Sequence, residues 1–298
     1  MPFCTRSVPW IGLRLSGVFL IAALASASAQ EVVWDHLAEG LAVRVWEPGP
    51  QCHEEVPLLY LVRVDPERYR FSTYHFRDEG LPAPLTIQEW QQRTRASVLF
   101  NAGLFQDDYS YLGLLFKGGR SLGTKRHPQW QGLFVAEPVA PGMRKARVLD
   151  LGVDSFTADD PPYREAAQSL MLLDRHGKTR VRQTGKQAHQ TVVGEDREGR
   201  ILLIKTADVV ALWELAECLR KGSLGIHQAM AMDGGTSSDL LIEADVLINR
   251  GPGSDQLPWV PLVDGSGMRH IPLPSVIGAL PRDGARQPSR VPSPPKGP

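Results

Sequence analysis

The segment richest in usable chemistry is Met232-Asp233-Gly234-Gly235-Thr236-Ser237-Ser238. An aspartate follows a short apolar run, Ala229-Met230-Ala231-Met232, that reads as a buried strand. A carboxylate at a strand end can act as acid, base or nucleophile, or hold a sugar hydroxyl. Gly234 and Gly235 let a ligand approach the backbone, and their consecutive N–H groups can receive an anion. Ser237 can orient a substrate oxygen. The plain alternative is an ordinary Asp-Gly turn. The second candidate is Asn101-Ala102-Gly103-Leu104-Phe105, which follows the apolar run Ser97-Val98-Leu99-Phe100. Here Asn101 can grip a hydroxyl or an oxyanion while Gly103 frees the backbone. Alternatively, Asn101 only stabilises its own turn. The third is Lys186-Gln187-Ala188-His189-Gln190-Thr191. His189 is either a proton shuttle or a surface residue. Lys117 and Lys186 are either point charges for a phosphate or solvated lysines.

Several other chemistries lack their motifs. There is no H-E-x-x-H, no P-loop and no G-x-G-x-x-G. The eight histidines are scattered, and His53-Glu54-Glu55 is the nearest thing to a metal cluster. No cofactor is implied.

The elements that must position these residues are mostly strands. Leu41–Trp46 and Pro57–Val64 read as β-strands separated by Glu47-Pro48-Gly49-Pro50. Thr86 with Glu89 is a capping box opening a short helix, with Ile87 and Trp90 inward. Gly-centred turns at Lys117-Gly118-Gly119, Arg175-His176-Gly177-Lys178 and Asp196-Arg197-Glu198-Gly199 each separate apolar runs and predict β-hairpins. A helix is expected over 209–220, with Asp208 as N-cap, Leu212, Leu215, Ala216 and Leu219 on one face, and Gly222 as C-cap. Hairpin-linked strands with few helices predict an α+β fold, a mixed and mostly antiparallel sheet with a few packed helices.

Composition narrows the partners. Of 298 residues, 33 are Lys or Arg and 33 are Asp or Glu. With no basic excess, nucleic acid is not an expected partner. The cations Arg6 and Arg14 near the start and Arg282, Arg286, Arg290 and Lys296 near the end leave the middle mildly acidic, so an anionic ligand needs a local cation. Arg6 and Arg14 precede the apolar run Val18–Ala25 and the small residues Ser26-Ala27-Ser28-Ala29, the order of a signal peptide cleaved after Ala29. Its apolar stretch of about 11 residues is short of the roughly 20 a spanning helix needs. The expected layout is therefore a signal peptide over 1–29, one domain over 30–280 and a disordered Pro-rich tail over 281–298. The mature chain is expected to be exported, periplasmic or secreted, without a transmembrane helix. Cys4 leaves with the signal; Cys52 and Cys218 remain, either as one disulfide or as two separate thiols.

These pieces follow one another in an order that resembles the phosphodiester glycosidase domain family. The order is Asn-Ala-Gly-Leu-Phe (101–105), Gly-Leu-Leu-Phe-Lys-Gly-Gly (113–119), Gln168-Ser169-Leu170-Met171-Leu172, the Thr191–Arg200 hairpin, Leu212-Trp213-Glu214-Leu215-Ala216 and Met232-Asp233-Gly234-Gly235. The resemblance covers about residues 95–245, and more loosely 40–280. It implies a hydrolase that cleaves a sugar-1-phosphodiester, and bacterial relatives that are mostly exported. The family pattern maps onto Asn101, Gly103, Asp233, Gly234 and Gly235, and the Gly-Gly-x-Ser spacing is kept through Ser237. It also brings Gln168 into the substrate-binding set. One departure matters. The family pair before the hairpin reads Arg-Thr, whereas here it is Gln190-Thr191, so a bidentate cation is replaced by a neutral amide.

Two functions from different classes are consistent with these residues. One is an exported glycosidase with Asp233 and Asn101 catalytic, and Gly103, Gly234, Gly235, Ser237, Gln190, Lys186, Lys117 and Gln168 binding a carbohydrate or phosphoglycan. The other is a non-catalytic envelope protein that binds a glycan or phosphoglycan on the same fold. The first testable consequence concerns the leader. Protein expressed with its own N-terminus should be recovered outside the cytoplasm beginning at Gln30, and mass spectrometry finding a soluble cytoplasmic chain that starts at Met1 would refute the export expectation.

Overall fold

A computed structural model describes residues 1, 33–245, 258–265 and 270–282. The expected leader, apart from Met1, and the tail beyond Arg282 lie outside the described residues.

The strands come first as β1 (Asp35–Ala38), β2 (Leu41–Trp46), β3 (Leu59–Val64) and β4 (Tyr69–His75). Helix α1 (Ile87–Thr94) leads into β5 (Val98–Asn101), β6 (Leu115–Lys117) and β7 (Arg120–Ser121). Then follow β8 (Gly132–Pro138), β9 (Ala146–Asp150), β10 (Tyr163–Leu173), β11 (Gln187–Ala188), β12 (Thr191–Asp196), β13 (Ile201–Thr206) and β14 (Val210–Ala211). Helix α2 (Leu212–Lys221), β15 (Ile226–Ala231), β16 (Leu240–Ile242), the short α3 (Pro261–Asp264) and β17 (Ser275–Pro281) complete the order.

The large sheet runs β1-β2-β3-β13-β12-β15-β10-β6-β7, with β8 and β9 branching from β10. A smaller sheet has the order β16-β5-β17-β4. Every strand pairing among the described residues is antiparallel. The expected mostly antiparallel sheet with a few packed helices is thus roughly what forms, and the fold is mainly β, since antiparallel neighbours need no helical crossover to reverse direction. Between the sheets lies the main core, where Val62, Phe71, Phe100, Phe134, Met230, Leu240, Trp259 and Ile277 are buried together. Pro281 closes β17, and the Arg282 guanidinium donates to Glu137. The first two residues of the expected tail therefore belong to the fold.

Local sequence explains most elements. Thr86 and Glu89 form the capping box of α1, and Ile87 and Trp90 are its buried face. The 117–119 turn joins β6 to β7, and the 196–199 turn joins β12 to β13 with Gly199 at φ 85°. The 175–178 turn forms, but its return arm pairs only through the single bridge Leu173–Thr179. Helix α2 starts later than expected. Val210 and Ala211 pair with Ala188 and Gln187, which keeps the chain extended through Ala211. Asp208 is consequently not the N-cap, and its carboxylate accepts from the Val209 N–H instead.

Of the two alternatives for the cysteines, the structure has the bridge. Cys52 and Cys218, 166 residues apart in sequence, are joined by a disulfide that ties α2 to the segment between β2 and β3. Closing so long a loop restricts the unfolded chain. Replacing the half-buried Cys52 by Ser should lower unfolding stability by roughly 2–4 kcal/mol, and reduction of the natural protein should give the same loss. Equal denaturant midpoints for the oxidised, reduced and substituted forms would refute this.

Candidate functional site

The two leading motifs, 132 residues apart, form one unit at the seam between the sheets. Strand β5 ends at Asn101, and the chain leaving β15 passes beside it. The Met232 N–H donates to Thr191 O at 2.8 Å, and the Asp233 N–H donates to Ala102 O at 3.2 Å. The Asn101 side chain locks the junction. Its Nδ2 donates to Asp233 O at 2.8 Å and to Ala102 O at 3.1 Å, while its Oδ1 accepts from the Asp239 N–H at 2.9 Å. Asn101 is only 2% exposed. Its expected grip on a substrate hydroxyl is therefore replaced by a positioning task, because both amide hydrogens are already committed to backbone carbonyls.

Asp233 has a half-buried carboxyl beside the Ser237 hydroxyl and the Gly234 N–H. Burial raises its pKa above the ordinary aspartate value, and those two neighbours only partly oppose the rise. Gly235 sits at φ 69°, and a Cβ there would meet nothing within 4 Å, so space opens beside this backbone. Its N–H donates to His189 O at 2.8 Å. The expected anion cradle of the Gly234 and Gly235 N–H groups is thereby corrected, since one faces the Asp233 carboxyl and the other a carbonyl. A Cβ on Gly234 would come within 3.0 Å of Gln190 Oε1 and His189 O, so glycine allows the loop to lie against β12.

The remaining candidates divide. Gln190 is at the site, packed on Gly234, but its Nε2 donates to Val210 O at 3.1 Å and it brings no charge. Gly103 is also there. Its N–H donates to the Tyr111 hydroxyl at 3.0 Å, which donates to Gln168 O at 2.7 Å. A Cβ on Gly103 would lie 2.3 Å from that hydroxyl, so the glycine serves close packing. Gln168 is fully buried and is corrected from substrate contact to scaffold. Its Oε1 accepts from the Leu114 and His127 N–H groups, and its Nε2 donates to His127 O and Trp130 O. Lys117 is occupied by an ion pair with Glu79, has Asp78 at 3.4 Å and lies over the Tyr74 ring, so it is not free for a phosphate. Lys186 is exposed, without an ion pair to a described residue.

Sequence reasoning missed a second layer under the loop. Lys205 on β13 is 2% exposed, and its Nζ donates to Ser238 Oγ at 3.0 Å. Thr191 is its cross-strand partner, and Thr191 Oγ1 lies 2.8 Å from the same Ser238 oxygen. The neighbouring Asp239 accepts from the Leu240 N–H through Oδ1 and meets His270 Nδ1 at 2.7 Å through Oδ2. Burial raises the Asp239 pKa and lowers that of Lys205 from 10.5 to about 8. His189 is held below its ordinary value by burial and then by the Lys205 charge. A lysine continuing the otherwise apolar Ile201–Ile204 run was the available signal. Among the described residues no three His, Cys, Asp or Glu side chains converge as a metal site requires.

A mainly antiparallel two-sheet scaffold thus presents one half-buried carboxyl on a Gly-Gly loop above buried hydroxyls and one buried cation, an arrangement suited to a polar, oxygen-rich ligand. The family model described as phosphodiester glycosidase matches residues 94–264, and the chain belongs to that family. Among solved structures it is similar to the zebrafish N-acetylglucosamine-1-phosphodiester alpha-N-acetylglucosaminidase catalytic domain auto-inhibited by its pro-peptide. That likeness has a TM-score of 0.55 and 15% identity over 82% of this chain and 84% of the other. It is also similar to a hypothetical protein from Synechocystis, with a TM-score of 0.53 and 13% identity over 82% of this chain and 62% of that one. At such identities the likeness is one of fold. No curated protein matches the sequence.

The buried lysine makes stability depend on pH in a defined direction. Because folding lowers the Lys205 pKa from 10.5 to about 8, the unfolded chain holds more protons in between, and stability rises with pH across that window. The shift corresponds to on the order of 3 kcal/mol against the charged form. Lys205→Met should gain on the natural protein most at pH 7, and the difference should shrink by roughly that amount as pH approaches 10. Denaturant unfolding of both proteins at the two pH values checks this, and parallel pH dependence would contradict it.

Proposed function

We propose that this chain is an exported hydrolase that cleaves a sugar-1-phosphodiester at the glycosyl C1–O bond. The single observation that carries the proposal is the half-buried Asp233 carboxyl, set near Ser237 and the Gly234 N–H beside open space at Gly235. The leaving group is a phosphate monoester with a second pKa of about 6, so it departs with its electron pair without a strong general acid. The demand falls on an oxocarbenium-like transition state and on the group that replaces the leaving phosphate. Ionised Asp233 meets it either by attacking C1 or by taking a proton from the attacking water. Asn101 and the Ala102 carbonyl hold that carboxyl's backbone in place. The Cys52–Cys218 bridge supports export, because disulfides persist in oxidising compartments. No helix among the described residues is long and apolar enough to cross a membrane.

A second function, glycan or phosphoglycan binding without turnover, is favoured by two observations. Gln190 is neutral, and its amide is engaged with Val210. Lys117 is paired elsewhere. A panel of nucleotide-sugars and aryl sugar-1-phosphodiesters separates the two. The enzyme should release a phosphate monoester and free sugar, and Asp233→Asn should lower kcat/KM by about 10²- to 10⁴-fold. Since only ionised Asp233 works and burial holds its proton, kcat/KM should rise with pH along a limb above the ordinary aspartate range. Absence of turnover across the panel, or an unimpaired Asn variant, would refute the hydrolase proposal; saturable glycan binding would then support the alternative.

A further inference from the structure

Lys205 is a cation that neither the fold nor the Asp233 chemistry explains. It occupies a strand whose other side chains are buried, and its hydrogen-bond partner among the described residues is Ser238 Oγ. It is not simply the counter-ion of Asp239. The Asp239 oxygens are taken by the Leu240 N–H and by His270, and the Asp239–Lys205 interaction is Coulombic without a hydrogen bond. An ammonium only donates, so Ser238 Oγ accepts from Lys205. If the fully buried Thr191 hydroxyl also donates to Ser238, the Ser238 hydrogen is turned away from both. Ser238 is 7% exposed and Thr191 is 0% exposed, so Ser238 is the less enclosed of the two residues.

We propose that Lys205 is a positioning residue for an anionic phosphodiester. Its ammonium fixes the Ser238 and Thr191 hydroxyls beneath the 233–238 loop, and supplies a buried positive charge that Gln190 and Lys117 do not. This rests on the phosphodiester function proposed above and names the cation for that site. The carboxyl that acts at C1 is carried by the loop, and the cation that receives the phosphate lies beneath it on β13. Ser238 passes the charge on as a polarised O–H donor, and charge-assisted donors of this kind are the stronger ones. The charged and titratable groups facing Lys205 are Tyr60 across the strand on β3, His189 before β12, and Asp239 with His270 behind it.

The test uses binding, so it does not depend on turnover. Dimethyl phosphate carries one negative charge from about pH 6 to 10, and trimethyl phosphate is its neutral counterpart. NMR titration of the natural protein should show the anion bound in preference to the neutral ester, with affinity falling as pH rises through about 8, where Lys205 loses its proton. Lys205→Met should bind the anion roughly tenfold more weakly at pH 7, with a flat profile. Lys205→Arg, which stays charged, should restore binding and remove the fall above pH 8. The natural protein's own pH profile needs no substitution, so a variant that folds poorly does not decide the outcome. Equal affinity in the Met variant, a natural profile that does not fall, or no preference for the anion would overturn the proposal. Sugar-phosphodiester cleavage with Lys205-independent anion binding would overturn this proposal alone. Lys205-dependent binding without cleavage of any ester would sustain it and refute the hydrolase function.

Discussion

The arrangement of this protein turns on one side-chain amide. Asn101 joins the end of a strand in the small sheet to the chain leaving the large one, through Asp233 O, Ala102 O and the Asp239 N–H. These are backbone groups at a buried seam, where no ladder can serve them because the strands belong to different sheets. Left unmade, such bonds cost about 1–3 kcal/mol each. An amide carries both donors and an acceptor in one plane, which a carboxylate or a hydroxyl cannot match. The position of the Asp233 carboxyl and the course of the 233–239 loop both follow from this bracing.

Around that seam the polar groups are arranged in layers. Next to the open space lies Asp233, with Ser237 and Gly234 as its partners. Beneath it lie Ser238, Thr191 and Lys205, and then Asp239 and His270. Gly103, Tyr111 and Gln168 form a chain of hydrogen bonds that ties the same seam to the 113–130 segment. Each buried polar atom in this set is held by another, which fixes the loop geometry more narrowly than apolar packing does. The cost is electrostatic. Two buried carboxyls and a buried ammonium are all held away from their ordinary pKa values by desolvation.

That cost is offset by the apolar core and the disulfide. The sheets enclose a continuous aromatic and aliphatic core, and the 52–218 disulfide restrains the chain across 166 residues. Neither contributes a group to the Asp233 loop. The disulfide lies apart from the site, whereas Ala102, Tyr111, Met232 and Leu240 of the core flank it, and the glycine-rich loop is positioned by the strands that enter and leave it.

Local sequence determined what short-range physics controls. The capping box of α1, the Gly199 hairpin and the strand from Leu41 to Trp46 follow from residues close together in the chain. The Asp233-Gly234-Gly235 and Asn101-Ala102-Gly103 segments were legible because a polar residue and glycine directly after an apolar run leave a recognisable pattern. Their meeting, and the family order that joins them, gave the location of the site. Tertiary structure alone decided what each side chain does there. Asn101 and Gln168 read as ligand-gripping amides, yet their hydrogen-bonding atoms are spent on backbone groups far away in sequence. Lys117 read as a phosphate partner, yet Glu79 and Asp78 neutralise it. Asp208 read as a cap, yet the β11–β14 pairing moved the helix start past it. Lys205 went unread because one lysine continuing an apolar strand is only a weak local signal. Its burial depends on β3, β12 and the 233–239 loop converging, and solvent exclusion is a property of the assembled fold rather than of any segment.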